Sequence, residues 1–330
     1  MKNKFFAAAA CVLTACMLAA CGTPSGGAAE ENSDKISIVC TIFPLYDWVR
    51  SVVGEDNAEV DIKLLATGGD LHSFQPSAKD IAEIATSDMF LYVGGSSDKW
   101  ADDTVKNSGV KGCSVRLFDI LGDELEEEEI KDGMQAESHI EEDLHGDEKE
   151  YDEHLWLSLR LAKTAVGAIA DDICTLDGGN AEKYRNNAEK YISELDSLDR
   201  EYAAAVESSS DKTVIFADRF PFRYLTDDYG IEYYAAFPGC SADTEASFET
   251  VIYLANTANR LKKDTLLVLE NSKQSIADTV IANTKRSGIK TAVMNSCQSV
   301  TKEDIQNGMS YISVMRQNLE PLKAALGCTE

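Results

Sequence analysis

The stretch NAEKYRNNAEKYISELDSLDREYAAAVES, residues 180–208, holds neither glycine nor proline, and it decides the architecture. Ala181, Tyr184, Ala188, Tyr191, Leu195, Leu198, Tyr202 and Ala205 recur in it at spacings of three and four. Such spacing lays one apolar stripe along an α-helix about 43 Å long at 1.5 Å per residue. A coiled-coil segment is the alternative reading, and four heptads is near the minimum for one.

On both sides of this helix short apolar runs alternate with helical patterns. Upstream, residues 36–42, 60–65, 89–93 and 115–118 read as strands, with helices at 45–53, 78–86, 100–107 and 155–173. Downstream, strands are expected at 213–216, 232–236, 266–269 and 291–294, with helices at 222–229, 247–262, 275–284 and 308–326. This alternation implies βαβ units and parallel sheets. The expected fold is therefore α/β with two lobes, each a four-stranded, mostly parallel sheet flanked by helices, joined by one long rigid helix. The N-terminal lobe spans 34–178, the connecting helix 179–209 and the C-terminal lobe 210–330.

The chain opens with Lys2 and Lys4, an apolar run over 5–20, and the tetrapeptide Leu18-Ala19-Ala20-Cys21. A basic start, a short apolar core and small residues before a cleavage point make an export signal, here residues 1–20. The tetrapeptide has the form of a bacterial lipobox, which makes Cys21 the expected site of lipidation. Residues 21–33, rich in Gly, Ser and Ala, read as a flexible tether. The expected location is outside the cytoplasm, anchored by lipid to the outer face of the bacterial cell membrane. No second apolar run approaches the length of a membrane span. A formal net charge of −26 argues against nucleic acid as a partner, which demands a basic stripe.

Residues 123–153 hold sixteen Asp or Glu against Lys131 and Lys149, and they contain His139 and His145. A block this charged cannot bury enough apolar surface to fold by itself, and it reads as a solvated acidic loop. Its histidines and carboxylates are expected to form an auxiliary set that gathers cations weakly. Six cysteines remain beyond Cys21: Cys40, Cys113, Cys174, Cys240, Cys297 and Cys328. No CxxC pair occurs, which argues against a thiolate zinc site. Cys40, in an apolar run, reads as a buried thiol. Cys240 and Cys297 each follow a strand of the second lobe, so a bridge between them is geometrically possible.

In open α/β sheets ligands bind beyond the carboxyl ends of the strands. His72 follows the second strand, Asp218 the run 213–216 and Glu270 the run 266–269, while His154 stands where the acidic block hands over to a helix. Two imidazoles and two carboxylates suit zinc, and also manganese or iron. The chain has no nucleophile elbow and no phosphate loop, so no catalytic role is expected.

At these residues the chain resembles the zinc and manganese solute-binding lipoproteins of ABC transporters. The resemblance rests on GDLHSFQPSAKD at 69–80, DEHLWLS at 152–158, DTEAS at 243–247, and Tyr311 with MRQNL at 315–319. It covers nearly the whole chain beyond the leader and keeps order. It implies capture of extracellular Zn²⁺, with Mn²⁺ as the competing cargo, and delivery to an ABC permease and its ATPase subunit by a monomeric binding protein. Some lipoproteins of the family are adhesins, which is the alternative role. His72 and His154 match two ligands of the family. The position of its third histidine falls at Arg219, and arginine cannot ligate a cation. The expected ligand set is therefore His72, His154, Asp218 and Glu270, the last matching the family's acidic residue. The stiff connecting helix implies a small closing motion rather than a wide hinge.

Overall fold

A computed structural model describes residues 35–54, 57–69, 71–136, 150–241 and 245–328. The expected leader, tether and Cys21 lie outside the described residues, as do His139 and His145.

The first lobe runs β1 (Ile36–Cys40), α1 (Phe43–Val53), β2 (Val60–Leu64), α2 (Ala78–Thr86), β3 (Met89–Tyr92), α3 (Lys99–Ser108), β4 (Cys113–Arg116) and the short α4 (Leu117–Ile120). Two long helices follow, α5 (Leu159–Leu176) and α6 (Ala181–Ser208). The second lobe runs β5 (Thr213–Phe220), α7 (Arg223–Tyr229), β6 (Glu232–Pro238), α8 (Phe248–Leu261), β7 (Thr265–Leu269), α9 (Ser275–Ala282), β8 (Lys290–Met294), α10 (Lys302–Gln306) and α11 (Tyr311–Leu326).

The sheets are ordered β2-β1-β3-β4 and β6-β5-β7-β8, and every pairing in both is parallel. The two lobes thus repeat one topology without a close sequence repeat. All four residues of β3 are buried, and so are the last three of β1. Central strands covered on both faces carry continuous apolar runs for this reason. Ser77 caps α2 in a reciprocal box with Asp80, and Ser158 caps α5 by accepting from the Leu161 N–H at 3.0 Å.

Helix α6 meets the expectation closely. Every residue of the predicted stripe except Ala181 is buried. The stripe packs on α5, α1 and α11, so its partners lie within this chain rather than along a coiled-coil seam. Two differences from the sequence reading affect the site. Strand β5 continues to Phe220, past a register shift between Phe216 and Arg219, which puts Asp218 and Arg219 on the strand rather than after it. A single 3₁₀ turn at Leu155–Leu157 precedes α5, because Ser158 takes the cap position.

The largest apolar core is continuous through both lobes. At its centre Trp48 of α1 meets Tyr311 of α11 edge-on, with ring centroids 5.3 Å apart. The buried Asp47 carboxylate accepts from the Tyr311 N–H at 2.9 Å and from the Tyr191 hydroxyl at 3.3 Å. Those donors satisfy a charge that would otherwise be costly in the core. Tyr202 of α6 donates to the Met315 carbonyl at 2.6 Å. Three helices from both lobes are thereby fastened at one place.

The described shoulders of the acidic block are ordered. The Glu128 N–H donates to the Glu150 carbonyl at 2.8 Å and the Asp152 N–H to the Glu126 carbonyl at 2.9 Å, with Glu127 and Tyr151 as an antiparallel bridge between them. Further along, the Gln135 N–H donates to the Ala236 carbonyl of β6 at 2.9 Å. Lys131 lies over the Tyr233 ring, 3.8 Å from its centroid. Backbone pairing thus anchors the first shoulder to the second lobe while many of its carboxylates face solvent.

Candidate metal centre

His72 occupies a 3₁₀ turn, Leu71–Ser73, beyond the carboxyl end of β2. His154 comes directly before the Leu155–Leu157 turn and is fully buried. The ring centroids of the two histidines are 5.4 Å apart. A third donor approaches from the second lobe. Cys240 sits in the turn that follows β6, and ligand atoms of His72, His154 and Cys240 all lie within 4.8 Å of one another.

The imidazoles are held through their Nδ1 atoms. Asp152 Oδ1 accepts from the His154 backbone N–H at 2.8 Å and lies 2.9 Å from its Nδ1. With the proton on Nδ1, the Nε2 lone pair is left to a cation. His154 Nε2 is buried and has no hydrogen-bond partner among the described residues. His72 Nδ1 lies 2.6 Å from Ser97 Oγ and 4.0 Å from Glu153 Oε2. Glu153 is itself fixed, its Oε1 accepting from the Ser97 N–H at 2.7 Å and the Ser96 hydroxyl at 2.9 Å. Outer carboxylates and hydroxyls of this kind set the tautomer and ring orientation of metal-binding histidines.

The turn carrying Cys240 is placed with equal care. A Cβ on Gly239 would stand 2.9 Å from His154 Cε1 and 3.0 Å from the Phe220 carbonyl oxygen, so only glycine lets the chain pass this close. On one side, the Cys240 N–H donates to Glu128 Oε1 at 3.3 Å. On the other, Arg219 Nη1 donates to the Ser241 carbonyl at 3.2 Å. Burial raises the Cys240 thiol pKa well above its ordinary value, and Asp152, Glu153 and Glu128 raise it further. Within reach of the Glu153 charge, Asp98 is buried, accepts from the Val93 N–H at 2.7 Å and is pushed up to about 7 by burial, with the Glu153 charge adding to the shift.

His72 and His154 are brought together as expected from the sequence. Asp218 and Glu270 are placed differently. Asp218 Oδ1 accepts from the Arg219 N–H at 2.9 Å and its Oδ2 from the Leu269 N–H at 3.3 Å, which ties β5 to β7. Glu270 accepts from the Ser296 N–H at 2.8 Å and from its hydroxyl at 2.6 Å. Burial raises the Glu270 pKa, against the lowering effect of these bonds and of Arg219. Both carboxylates line a cavity of about 610 Å³ together with Gly68 of the first lobe and Thr301.

The sequence marks Cys240 only as a possible bridge partner, although it follows β6 as His72 follows β2. The possible bridge from Cys240 to Cys297 is not made, and both are free thiols. Cys297 is buried beside Tyr202 and Tyr311, whereas Cys240 turns towards the histidines.

A family model described as zinc-uptake complex component A, periplasmic (ZnuA), matches residues 38–325. The chain belongs to the ZnuA family. It is 32% identical over 331 residues to the high-affinity zinc uptake system protein ZnuA of Bacillus subtilis, covering 98% of this chain and 97% of that one. It is also 32% identical over 311 residues to the zinc-binding lipoprotein AdcA of Streptococcus pneumoniae, of which it spans 59%. Among solved structures, the Zn(II)-bound ZnuA-like domain of Streptococcus pneumoniae AdcA is similar with a TM-score of 0.68 at 29% identity, over 88% of this chain and 98% of that one. Two parallel four-stranded sheets and a long joining helix are thus the ZnuA-like fold.

Proposed function

We propose that this ZnuA-family chain captures Zn²⁺ outside the cytoplasm and delivers it to the permease of an ABC uptake system powered by a separate ATPase subunit. The ion is cargo, and no bond within a substrate is made or broken. The observation that carries this reading is the pair of imidazoles, each fixed at Nδ1, with the buried His154 Nε2 left for a cation. Family membership agrees with it, since the Bacillus subtilis relative is named as a zinc uptake protein.

His72 and His154 supply two donors from the first lobe. Asp218 and Glu270 are carboxylate candidates from the second lobe, each already engaged in hydrogen bonds. Where a carboxylate completes the donor set, Mn²⁺ is the competing cargo, because carboxylate donors favour harder cations. The chain acts as a monomer tethered through lipid on Cys21, and His139 and His145 provide weak auxiliary binding.

Titration calorimetry on metal-stripped protein lacking its leader tests the reading. Zinc should bind with micromolar affinity or better, and His72→Ala and His154→Ala should each weaken it sharply. Absence of zinc binding in the unaltered protein would overturn the function, and normal affinity in both variants would overturn the site. Mass spectrometry of membrane-extracted protein checks the diacylglyceryl mass on Cys21.

A further inference from the structure

We infer that the second lobe's donor to the bound ion is the Cys240 thiolate, in place of Asp218 and Glu270, which makes the centre a two-histidine, one-thiolate site for thiophilic divalent cations. This rests on the zinc-capture reading above and names the ligand that sets its selectivity.

Four observations converge on Cys240. Its ligand atom lies within 4.8 Å of those of both histidines, the only such three-donor group of His, Cys, Asp and Glu among the described residues. His154 contributes a fully buried Nε2 with no hydrogen-bond partner, on a ring that has a ligand atom within 4.8 Å of that of Cys240. Gly239 permits an approach to the His154 ring that any side chain would block. Finally, Cys240 is free of a disulfide, and its turn is pinned by Glu128, which accepts the cysteine's own N–H, and by Arg219, which donates to the next residue's carbonyl.

Arg219 gains a role from this arrangement. It stands where the family resemblance places a histidine, and its guanidinium holds the Ser241 carbonyl instead. The donor lost at that position is replaced by a neighbouring turn that the same residue orients.

On binding, Cys240 Sγ gives its electron pair to the cation and the S–H proton leaves to solvent. Thiolate donors select soft and borderline ions, so Zn²⁺ and Cd²⁺ are held and Mn²⁺ is rejected. Three protein donors leave a fourth position for water, the arrangement of open rather than closed zinc sites.

Cobalt spectroscopy tests the inference. Metal-stripped protein loaded with Co²⁺ should show a thiolate-to-cobalt charge-transfer band in the near ultraviolet, together with visible bands of tetrahedral intensity. Cys240→Ser should lose the charge-transfer band and bind zinc roughly a hundredfold more weakly. Cys113→Ser, which removes an exposed thiol on β4, should keep both. Cd²⁺ should displace Zn²⁺, and Mn²⁺ should fail to do so. Zinc binding without a cobalt charge-transfer band, or undiminished zinc affinity in Cys240→Ser, would overturn the thiolate and leave zinc capture standing. Failure of the unaltered protein to bind zinc at all would overturn both. The spectrum of the unaltered protein decides even where the serine variant does not fold.

Discussion

Asp152 Oδ1 serves His154 twice, accepting its backbone N–H at 2.8 Å and standing 2.9 Å from its Nδ1. One carboxylate oxygen thus holds the main chain and the ring of the same residue, and the ring cannot turn without losing the bond. Asp152→Ala frees the imidazole and should lower zinc affinity by about 10- to 100-fold, the usual cost of removing an outer-shell partner. Calorimetry measures the affinity and circular dichroism checks the fold. An unchanged dissociation constant would show that the ring is held by packing alone.

Gly239→Ala should be damaging in a different way. The new methyl group meets a backbone carbonyl at 3.0 Å as well as the His154 ring, so the clash cannot be relieved by rotating one side chain. Overpacking of this kind costs about 1–3 kcal/mol, and it should lower the midpoint of denaturant unfolding even without metal. Zinc affinity should fall as well, because the Cys240 turn is displaced from the histidines.

Asp98 makes stability depend on pH. Its carboxyl keeps a proton up to about 7 in the folded chain, against 3.8 for an unperturbed group. Between those values the folded state binds more protons than the unfolded state, so stability falls as pH rises through that window. Across it the loss amounts to roughly 4 kcal/mol. Asp98→Asn mimics the protonated form and should flatten this part of the profile. Comparing urea denaturation of the two metal-free proteins across the window isolates the effect, and parallel profiles would exclude it.

The acidic block should divide functionally between Glu128, which holds the Cys240 amide, and the segment 137–149 that carries His139 and His145. Removing residues 137–149 spares the shoulder pairing and the Glu128 bond to Cys240. The tight zinc site should survive, while weak zinc equivalents disappear from the stoichiometry. Glu128→Ala should do the opposite, keeping the weak equivalents and loosening the tight site. Equal stoichiometry with and without 137–149 would reduce the block to a solvated insertion.

Much of the architecture could be read from the chain because it is written in periodicities. The stripe from Tyr184 to Ala205 follows helical spacing, and central strands such as β3 are continuous apolar runs. The extent of β5 could not be read in this way. Asp218 and Arg219 are polar residues on a strand, paid for by hydrogen bonds to Leu269 and Ser241 that only the folded chain supplies. The histidines were recognisable from their flanking motifs. Cys240 was not, because a lone cysteine has no spacing partner, and its place near His154 depends on a bare Gly239 and on contacts from Glu128 and Arg219 far away in sequence. Its place just after β6 obeys the same rule of strand ends that puts His72 after β2 and Glu270 after β7.

The meeting of Trp48 and Tyr311 has a thermodynamic consequence. Two sheets that share one apolar core cannot melt one after the other, since opening either exposes the same aromatic pair. The chain should therefore unfold in a single calorimetric transition, with van't Hoff and measured enthalpies in agreement, despite its two-lobed outline. Bound cargo then stabilises both halves at once. Zinc at a hundredfold excess over its dissociation constant adds about 2.7 kcal/mol to the whole molecule, so a charged binding protein resists heat and proteolysis as one body.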